Sequence, residues 1–441
     1  MITVDELYKL FKKSTGISTD SRTAQEGAMF FALKGEKFDG NDYAVKALEN
    51  GAKYAIVDRV TLDGTSVRGK RYCILVENVL KTMQQLASYH RRQFDIPVIG
   101  ITGTNGKTTT KELVSAVLSK KYNIVATKDN INNQIGVPLT LFRINEKTRM
   151  AVVEMGASAP GEIFELVDIA LPTHGIVTNV GKAHLEGFGS FEGVKKTKGE
   201  MYDYLRQKGG TAFYNADNKY LCEMISARHG LVTRKYGCQL DGVEVLPVSS
   251  ENPFLRIRLT KPEERVVNTQ LVGQYNADNV MAALCVGKYF EVPFADAVSA
   301  IESFKPSNNR SQMLHTGRND LIVDTYNANP TSMMAALENF AATEFENKTL
   351  MLGDMLELGE DSHAEHKAIL EYALTISDLI YLVGPEFNNA ARELGCNPEK
   401  VKCFGSFDEI YNSFIGTMMT NRTILIKGSH GMQLEKLPEV L

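Results

Sequence analysis

The 441-residue sequence predicts an α/β protein built on parallel sheets. Three observations carry that expectation. From about residue 96 onward, short apolar runs of strand length alternate with longer helix-like segments, the pattern of repeated strand–helix units. One such strand runs into a glycine-rich turn, "GTNGKT", that opens a helix, which is the context of a phosphate-binding loop. The length, at about 100 to 200 residues per domain, implies two to four domains, each large enough to bury a core.

The elements follow in order. Residues 1–94 hold shorter pieces, with "STDSRTAQEGAMFFALKGEKFDG" read as turn-rich loops around a buried "AMFFAL" strand. "IPVIGITG", "NIVATK", "RMAVVEMG", "HGIVTNVG" and "GTAFYNAD" read as the strands of one parallel sheet, each ending where a loop residue begins. The stretch "VEVLPVSSENPFLRIRLTKPEERVVNTQLVG" alternates with period two and carries turn residues, so it reads as antiparallel strands attached to the middle domain. A second parallel set follows: "DLIVDTYNANP", "KTLMLGDM", "DLIYLVGPE", "VKCFGS" and "NRTILIKGSHG". The polar segments "SYHRRQFD" and "FKPSNNRSQ" mark the boundaries, giving domains at 1–94, 95–306 and 307–441.

Composition excludes several classes. Lysine and arginine number 49 against 53 acidic residues, a net charge of −4, so the bulk basicity that drives nucleic-acid binding is missing. The six cysteines form no CxxC pair, which argues against a disulfide framework or a zinc ribbon; they read as buried small hydrophobes. No run of about 18 apolar residues is present, so no membrane insertion is expected and the protein reads as soluble and cytoplasmic.

The loop departs from the usual GxxxxGK[ST] spacing, because Ile101 stands where the first glycine should fall. Its mechanics still fit: Gly103, Thr104, Asn105, Gly106, Lys107, Thr108 and Thr109 would present backbone N–H groups and a positive helix end to an anion. Lys107 would reach the β and γ phosphates of ATP or GTP, and the Thr108 hydroxyl would ligate magnesium. Three further residues sit where ligands of open α/β sheets bind, at strand carboxyl ends and the loops after them. Glu154 ends an apolar strand and could hold magnesium or merely cap a helix; His184 could be a ligand or a satisfied histidine; Lys198 could be functional or a solvated helix charge.

Taken with "DSR" and "FFALKGEKFDG" early, "NINNQIGVPLTL" after the loop, and "DTYNANPTSM" with "LGDMLELGE" late, these residues resemble the Mur ligase family, the ATP-dependent amide-forming enzymes of peptidoglycan precursor synthesis. The resemblance covers nearly the whole chain, and GTNGKT is that family's own form of the loop. It implies three domains: a small N-terminal α/β domain for the UDP sugar, a central P-loop parallel-sheet ATPase-like domain, and a C-terminal Rossmann-like domain. The implied reaction adds D-alanyl-D-alanine to UDP-N-acetylmuramoyl-tripeptide through an acyl phosphate, using ATP and two Mg2+ ions; separately, a monomer is expected. Thr108 and Glu154 match ligands of the magnesium on ATP, His184 serves the second ion, and Lys198 matches a lysine that is carbamylated in the family. Asn276 matches the adenine contact, Asp324 the ribose contact and Arg310 the arginine near the phosphates. Ser21, Arg22 and Lys34 fall in the uridine-nucleotide loops; Asn132, Asn133 and, in the "YNANP" loop, Asn327 fall on the substrate side. The turn-rich loops around Ser21, Arg22, Lys34, Asn132 and Asn133 also have a plain turn reading, and Asn276 one as a helix cap.

The sequence departs from the family pattern in two places. Asn309 precedes Arg310 where glycine is usual, and His430 follows "KGS" where arginine is usual, so His430 would bind a carboxylate only when protonated. Two other readings stay open: a different ligase of the superfamily, such as folylpolyglutamate synthase, and a P-loop switch that hydrolyses ATP without ligating anything.

Overall fold

The computed structural model describes residues 2–59, 72–306 and 309–441. The first sheet is wholly parallel, with β1 (Ile17–Ser18), β2 (Met29–Phe31), β3 (Tyr54–Val57) and β4 (Tyr72–Leu75) side by side in chain order. Successive side chains of a strand point to opposite faces. Accordingly Met29, Phe31 and Ile56 pack on Leu7, Phe11, Met83 and Leu86 of the helices Val4–Phe11 and Val79–Arg91, while Phe30, Ala55 and Val57 meet Ala44, Ala47 and Leu48 on the other face. Thr3 and Glu6 start the first helix with reciprocal caps, Glu6 N donating to Thr3 Oγ1 at 3.3 Å and Thr3 N to Glu6 Oε2 at 2.9 Å.

The central sheet is also parallel. Its strands β5 (Val98–Thr102), β6 (Ile124–Ala126), β7 (Met150–Glu154), β8 (His174–Val177), β9 (Thr211–Asn215) and β10 (Val232–Tyr236) lie in the order β10-β9-β8-β5-β7-β6. The glycine-rich loop therefore leaves β5 between β7 and β8, where strand order reverses and a crevice opens at the carboxyl edge. Ile99 and Ile101 join one core, beneath the helices Lys107–Ser119 and Ala277–Tyr289. Val98 joins the opposite core, beneath Glu162–Ala170 and Phe191–Lys208. An antiparallel sheet of β11 (Val243–Val245), β12 (Phe254–Leu259) and β13 (Arg265–Val272) sends Leu255, Ile257, Leu259, Val267 and Leu271 into the first of these cores.

The third unit carries β14 (Gln312–His315), β15 (Asp320–Asp324), β16 (Lys348–Gly353), β17 (Leu379–Val383), β18 (Val401–Phe404) and β19 (Thr423–Lys427) in the order β14-β15-β19-β16-β17-β18. Only β14 runs antiparallel to its neighbour. Each face again has its own core, Ile322, Leu350, Leu352 and Leu425 on one side and Val323, Met351, Ile424 and Ile426 on the other.

The expected α/β architecture and its expected strands are present. Strands β1, β3, β4, β10 and β14 were not expected. At β10 the reason is plain: it is an edge strand with Thr233, Arg234 and Lys235 turned to solvent or half-buried, so it lacks an apolar run. The cysteines need correction. None is a buried hydrophobe: five are half-buried and Cys403 is exposed, with Cys73 and Cys403 on the edge strands β4 and β18, where one flank of the backbone has no neighbour to cover it. No helix among the described residues is long and apolar enough to cross a membrane.

Candidate active site

The loop after β5 threads a space that only glycine allows. At Gly103, φ is +142° and an added Cβ would lie 2.0 Å from Thr178 Oγ1; at Gly106, φ is +77° and the Cβ would lie 2.6 Å from Asn279 Oδ1. The segment after β8 holds the loop's shape. Thr104 N donates to Asn179 O at 3.0 Å, Asn105 N to Asn179 Oδ1 at 2.9 Å, and Thr178 Oγ1 to Asn105 O at 2.6 Å. The helix Lys107–Ser119 then begins with its first N–H groups pointing into the crevice mouth. Lys107 folds back over the loop and donates to the carbonyls of Gly103 at 2.9 Å and Thr104 at 3.0 Å. Burial holds its ammonium below the usual lysine range, against the pull of Glu154.

Glu154 ends β7 and is buried. Its Oε1 accepts from Thr108 Oγ1 at 3.1 Å and from Asn132 Nδ2 at 2.7 Å. Its Oε2 is buried without a hydrogen bond, with Lys111 Nζ 3.9 Å away. Lys111, fully buried, is itself occupied by the carbonyls of Thr127 and Asp129, both at 2.8 Å. A buried carboxylate oxygen left open beside a threonine hydroxyl is a hard-donor pair suited to a divalent cation.

His184 stands on the loop after β8 with a left-handed backbone, φ +50°, and its Nδ1 meets the Glu357 carboxylate of the third domain. Burial lowers the proton affinity of its imidazole against the opposing charge of Glu357, and Lys107 and Lys198 add to the lowering. Lys198 lies on the helix Phe191–Lys208 and is 2% exposed. Its Nζ has a single carbonyl acceptor, Ala157 O at 3.3 Å, and sits 5.3 Å from the Phe188 ring centre. Burial, with the Lys107 charge, depresses it to about 7, although Glu162 and Glu200 pull the other way.

The C-terminal domain closes the other side. Asn329, which caps the helix Pro330–Ala342, exchanges amide hydrogen bonds with Asn105 of the loop at 2.8 and 3.3 Å. Asp324 ends β15 and is paired with Lys427, at the end of β19, at 2.6 Å. The Arg310 guanidinium stacks 3.4 Å over Tyr326, which stacks on His430 in turn. Asn276 does not cap a helix with its side chain: Nδ2 donates to Val272 O at 2.9 Å and Oδ1 accepts from Asn279 Nδ2 at 2.9 Å. Asn279 in turn accepts from Thr110 Oγ1 at 2.9 Å, which ties this segment to the P-loop helix.

These groups enclose a cavity of about 730 Å³ between the central and C-terminal domains. It is lined by Thr104 to Thr109 of the loop and by Asn132, Asn133, Glu154, His184, Asn276, Arg310, Asp324 and Asn327. Asn133 also serves the turn, its Oδ1 accepting from Gly136 N at 3.0 Å, and Asn327 Oδ1 accepts from Ala328 N at 2.9 Å. Gly103 and Lys198 are not among the lining residues. Ser21, Arg22 and Lys34 do not line the cavity: Arg22 is paired with Asp20 at 2.8 Å, Lys34 with Asp58 at 2.9 Å, and Ser21 O accepts from Asn50 at 2.9 Å. Sequence reasoning missed Asn179, Asn279, Tyr326, Asn329 and Lys427. Of these only Lys427, a lysine ending an apolar strand, carried a visible signal.

A P-loop core clasped by a C-terminal Rossmann-like domain, with an acid, a histidine and a buried lysine around the phosphate site, defines an ATP-using enzyme of the ligase type. The chain belongs to the Mur ligase family: models of the family's catalytic domain, middle domain and glutamate ligase domain match residues 13–91, 101–287 and 309–430. It is 33% identical over 430 residues to the UDP-N-acetylmuramoyl-tripeptide--D-alanyl-D-alanine ligase of Bacillus subtilis, covering 96% of this chain and 92% of that one. Among solved structures it is similar to MurF from Acinetobacter baumannii, with a TM-score of 0.83, 29% identity and 97% and 96% of the two chains covered. MurF ligase from Thermotoga maritima in complex with ADP gives a TM-score of 0.82 at 27% identity, covering 98% and 97%.

Proposed function

We propose that this protein is an ATP-dependent amide ligase that adds D-alanyl-D-alanine to UDP-N-acetylmuramoyl-tripeptide in peptidoglycan precursor synthesis. The observation that carries the reading is the convergence, in one cavity, of the P-loop with Lys107, the open carboxylate oxygen of Glu154 and the Arg310 guanidinium. In this reading the domains divide at 94/95 and 306/307. In the same reading the enzyme works as a cytoplasmic monomer.

A carboxylate does not condense with an amine at neutral pH without activation. The tripeptide's terminal carboxylate oxygen attacks the γ-phosphorus of ATP, the bond to the bridging oxygen breaks, and ADP leaves. The dipeptide's ammonium loses a proton to solvent and the free amine attacks the acyl carbon, forming the C–N bond while phosphate departs with the C–O electron pair and takes up the second proton the nitrogen sheds. Lys107, released from its own loop carbonyls, takes the β and γ oxygens, and the N–H groups at the start of the following helix hold the remaining phosphate oxygens. Arg310 neutralises charge from the opposite wall, Asn276 faces the adenine and Asp324 the ribose. Asn132, Asn133 and Asn327 orient the peptide end, and Ser21, Arg22 and Lys34 hold the uridine nucleotide. Magnesium would be held by Thr108 and Glu154, with His184 and carbamylated Lys198 serving a second ion, and would supply charge neutralisation on the phosphates. A buried lysine with a half-neutral amine at pH 7 is the form that adds carbon dioxide.

The test is phosphate release from the purified full chain with ATP and UDP-N-acetylmuramoyl-tripeptide, with and without D-alanyl-D-alanine, using tripeptides ending in meso-diaminopimelate and in L-lysine. Release that requires both substrates is expected; release indifferent to them would leave an ATPase and sink the reading.

A further inference from the structure

A second cavity, about 520 Å³, opens off the first and shares Thr108, His184, Arg310 and Tyr326 with it. Its other wall is C-terminal and includes Glu357 and His430. Glu357 is placed with unusual care. Its backbone is left-handed, φ +64°, a conformation that ordinarily favours glycine. The three residues before it are each pinned. Asp354 accepts from Glu386 N at 3.0 Å and Phe387 N at 2.9 Å; the buried His366 Nε2 accepts from Met355 N at 2.9 Å; and Ser429 Oγ accepts from Leu356 N at 2.9 Å. The carboxylate so presented reaches across the domain boundary to His184, at the junction of the two cavities.

Resting on the ligase reading above, we infer that Glu357 is the specificity residue that anchors the ammonium of the incoming amine substrate at the edge of the phosphate chamber. A carboxylate there repels the phosphates of ATP and attracts a cation. His184 lines both cavities, so a group held on Glu357 lies beside the wall where the acyl phosphate forms. The same cavity is lined by the Arg310 guanidinium, stacked on Tyr326, which stacks in turn on His430, and a guanidinium suits a carboxylate. An acid and a guanidinium lining one cavity select a small zwitterion. The second acid lining this cavity, Asp129, stands on the central domain, away from the pinned segment.

The experiment is steady-state phosphate release by the full chain, varying one substrate at a time, for the wild type and Glu357→Gln. The glutamine keeps the length and a hydrogen bond to His184 but loses the charge. The dipeptide KM should rise tenfold or more, while those for ATP and UDP-tripeptide stay within threefold, and Glu357→Asp should recover part of the loss. A smaller rise, equal rises for all three substrates, or a larger dipeptide effect from Asp129→Asn overturns the inference. A second measurement needs no variant: D-lactyl-D-alanine, with a hydroxyl in place of the ammonium, should inhibit the wild type with a constant at least tenfold above the dipeptide's KM, and equal affinity overturns it. A wild type that releases no phosphate with the dipeptide refutes the ligase reading instead, so the two failures are distinct.

Discussion

Replacing Lys198 with methionine should stabilise the protein near neutral pH and destroy its activity. Methionine fills a similar length of apolar space and carries no charge to desolvate. The folded structure depresses the lysine from its ordinary 10.5 to about 7, and a drop of that size corresponds to roughly 5 kcal/mol of disfavoured protonation. At pH 7 the folded lysine is half neutral, so the cost still present is on the order of 4 kcal/mol. The sign follows from proton counting: a folded value below the unfolded one means that folding expels a proton, so the wild type gains stability as pH rises from about 7 towards 10.5. The methionine variant lacks this dependence. Its advantage should therefore be largest at pH 7 and below and should vanish above pH 10.5. For a domain of this size 4 kcal/mol is on the order of 10 °C in Tm, which calorimetry of both proteins in bicarbonate-free buffer at several pH values will read. A variant no more stable than the wild type at pH 7, or an advantage that does not close with pH, refutes the argument from burial. The activity arm is separate. Carbon-13 bicarbonate should give a carbamate signal with the wild type only, and a methionine variant that ligates at the wild-type rate would remove Lys198 from the proposed chemistry.

Two further substitutions probe the walls of the site. Lys427→Met leaves Asp324 without its 2.6 Å partner in a place where the lysine is 1% exposed; unpairing a buried ion pair of this kind costs about 3 to 5 kcal/mol. Chemical denaturation should show that loss, with most of it recovered in the Lys427→Met/Asp324→Asn double variant, and a loss below about 1 kcal/mol would contradict the pairing. Gly106→Ala places a Cβ 2.6 Å from Asn279 Oδ1 at a φ of +77°. The left-handed conformation alone costs alanine about 1 to 2 kcal/mol, and nucleotide titration should show ATP affinity at least tenfold weaker; wild-type affinity would mean the loop does not cradle phosphate.

Much of this architecture could be read from the sequence because it is local. A strand, a glycine turn and a lysine opening a helix are contiguous, so β5, the loop and Lys107 were visible together, and Glu154 announced itself as an acid ending an apolar strand. Resemblance supplied most of the remainder, including the placement of Asn276, Arg310 and Asp324 in one cavity. What was hidden is pairing at long range. Asn105 and Asn329 are unremarkable asparagines until the fold sets them face to face across two domains. Lys111 looks like a solvated helix charge, yet it is fully buried on two carbonyls. Cys73 and Cys403 were misjudged for the same reason, since burial of an edge strand depends on what the sheet's order leaves uncovered, and order is not a property of the strand's own residues.

The long-range pairs share a feature that bears on how the site works. Lys107 lies on its own loop carbonyls, Asp324 on Lys427 and His184 on Glu357. Each of these three groups already has a protein partner, and two of the three contacts involve the C-terminal domain. Binding is therefore an exchange of contacts in which only the difference between the old and new partners counts toward affinity. In the proposed function nucleotide would have to draw Lys107 off the carbonyls, and a ribose contact with Asp324 would have to compete with Lys427. The amine substrate has to part His184 from Glu357. An exchange of this kind discriminates well, because a ligand lacking the matching charge gains nothing that offsets the contact it breaks. A zwitterionic dipeptide that satisfies Glu357 while freeing His184 meets that condition, and a neutral molecule of the same shape does not.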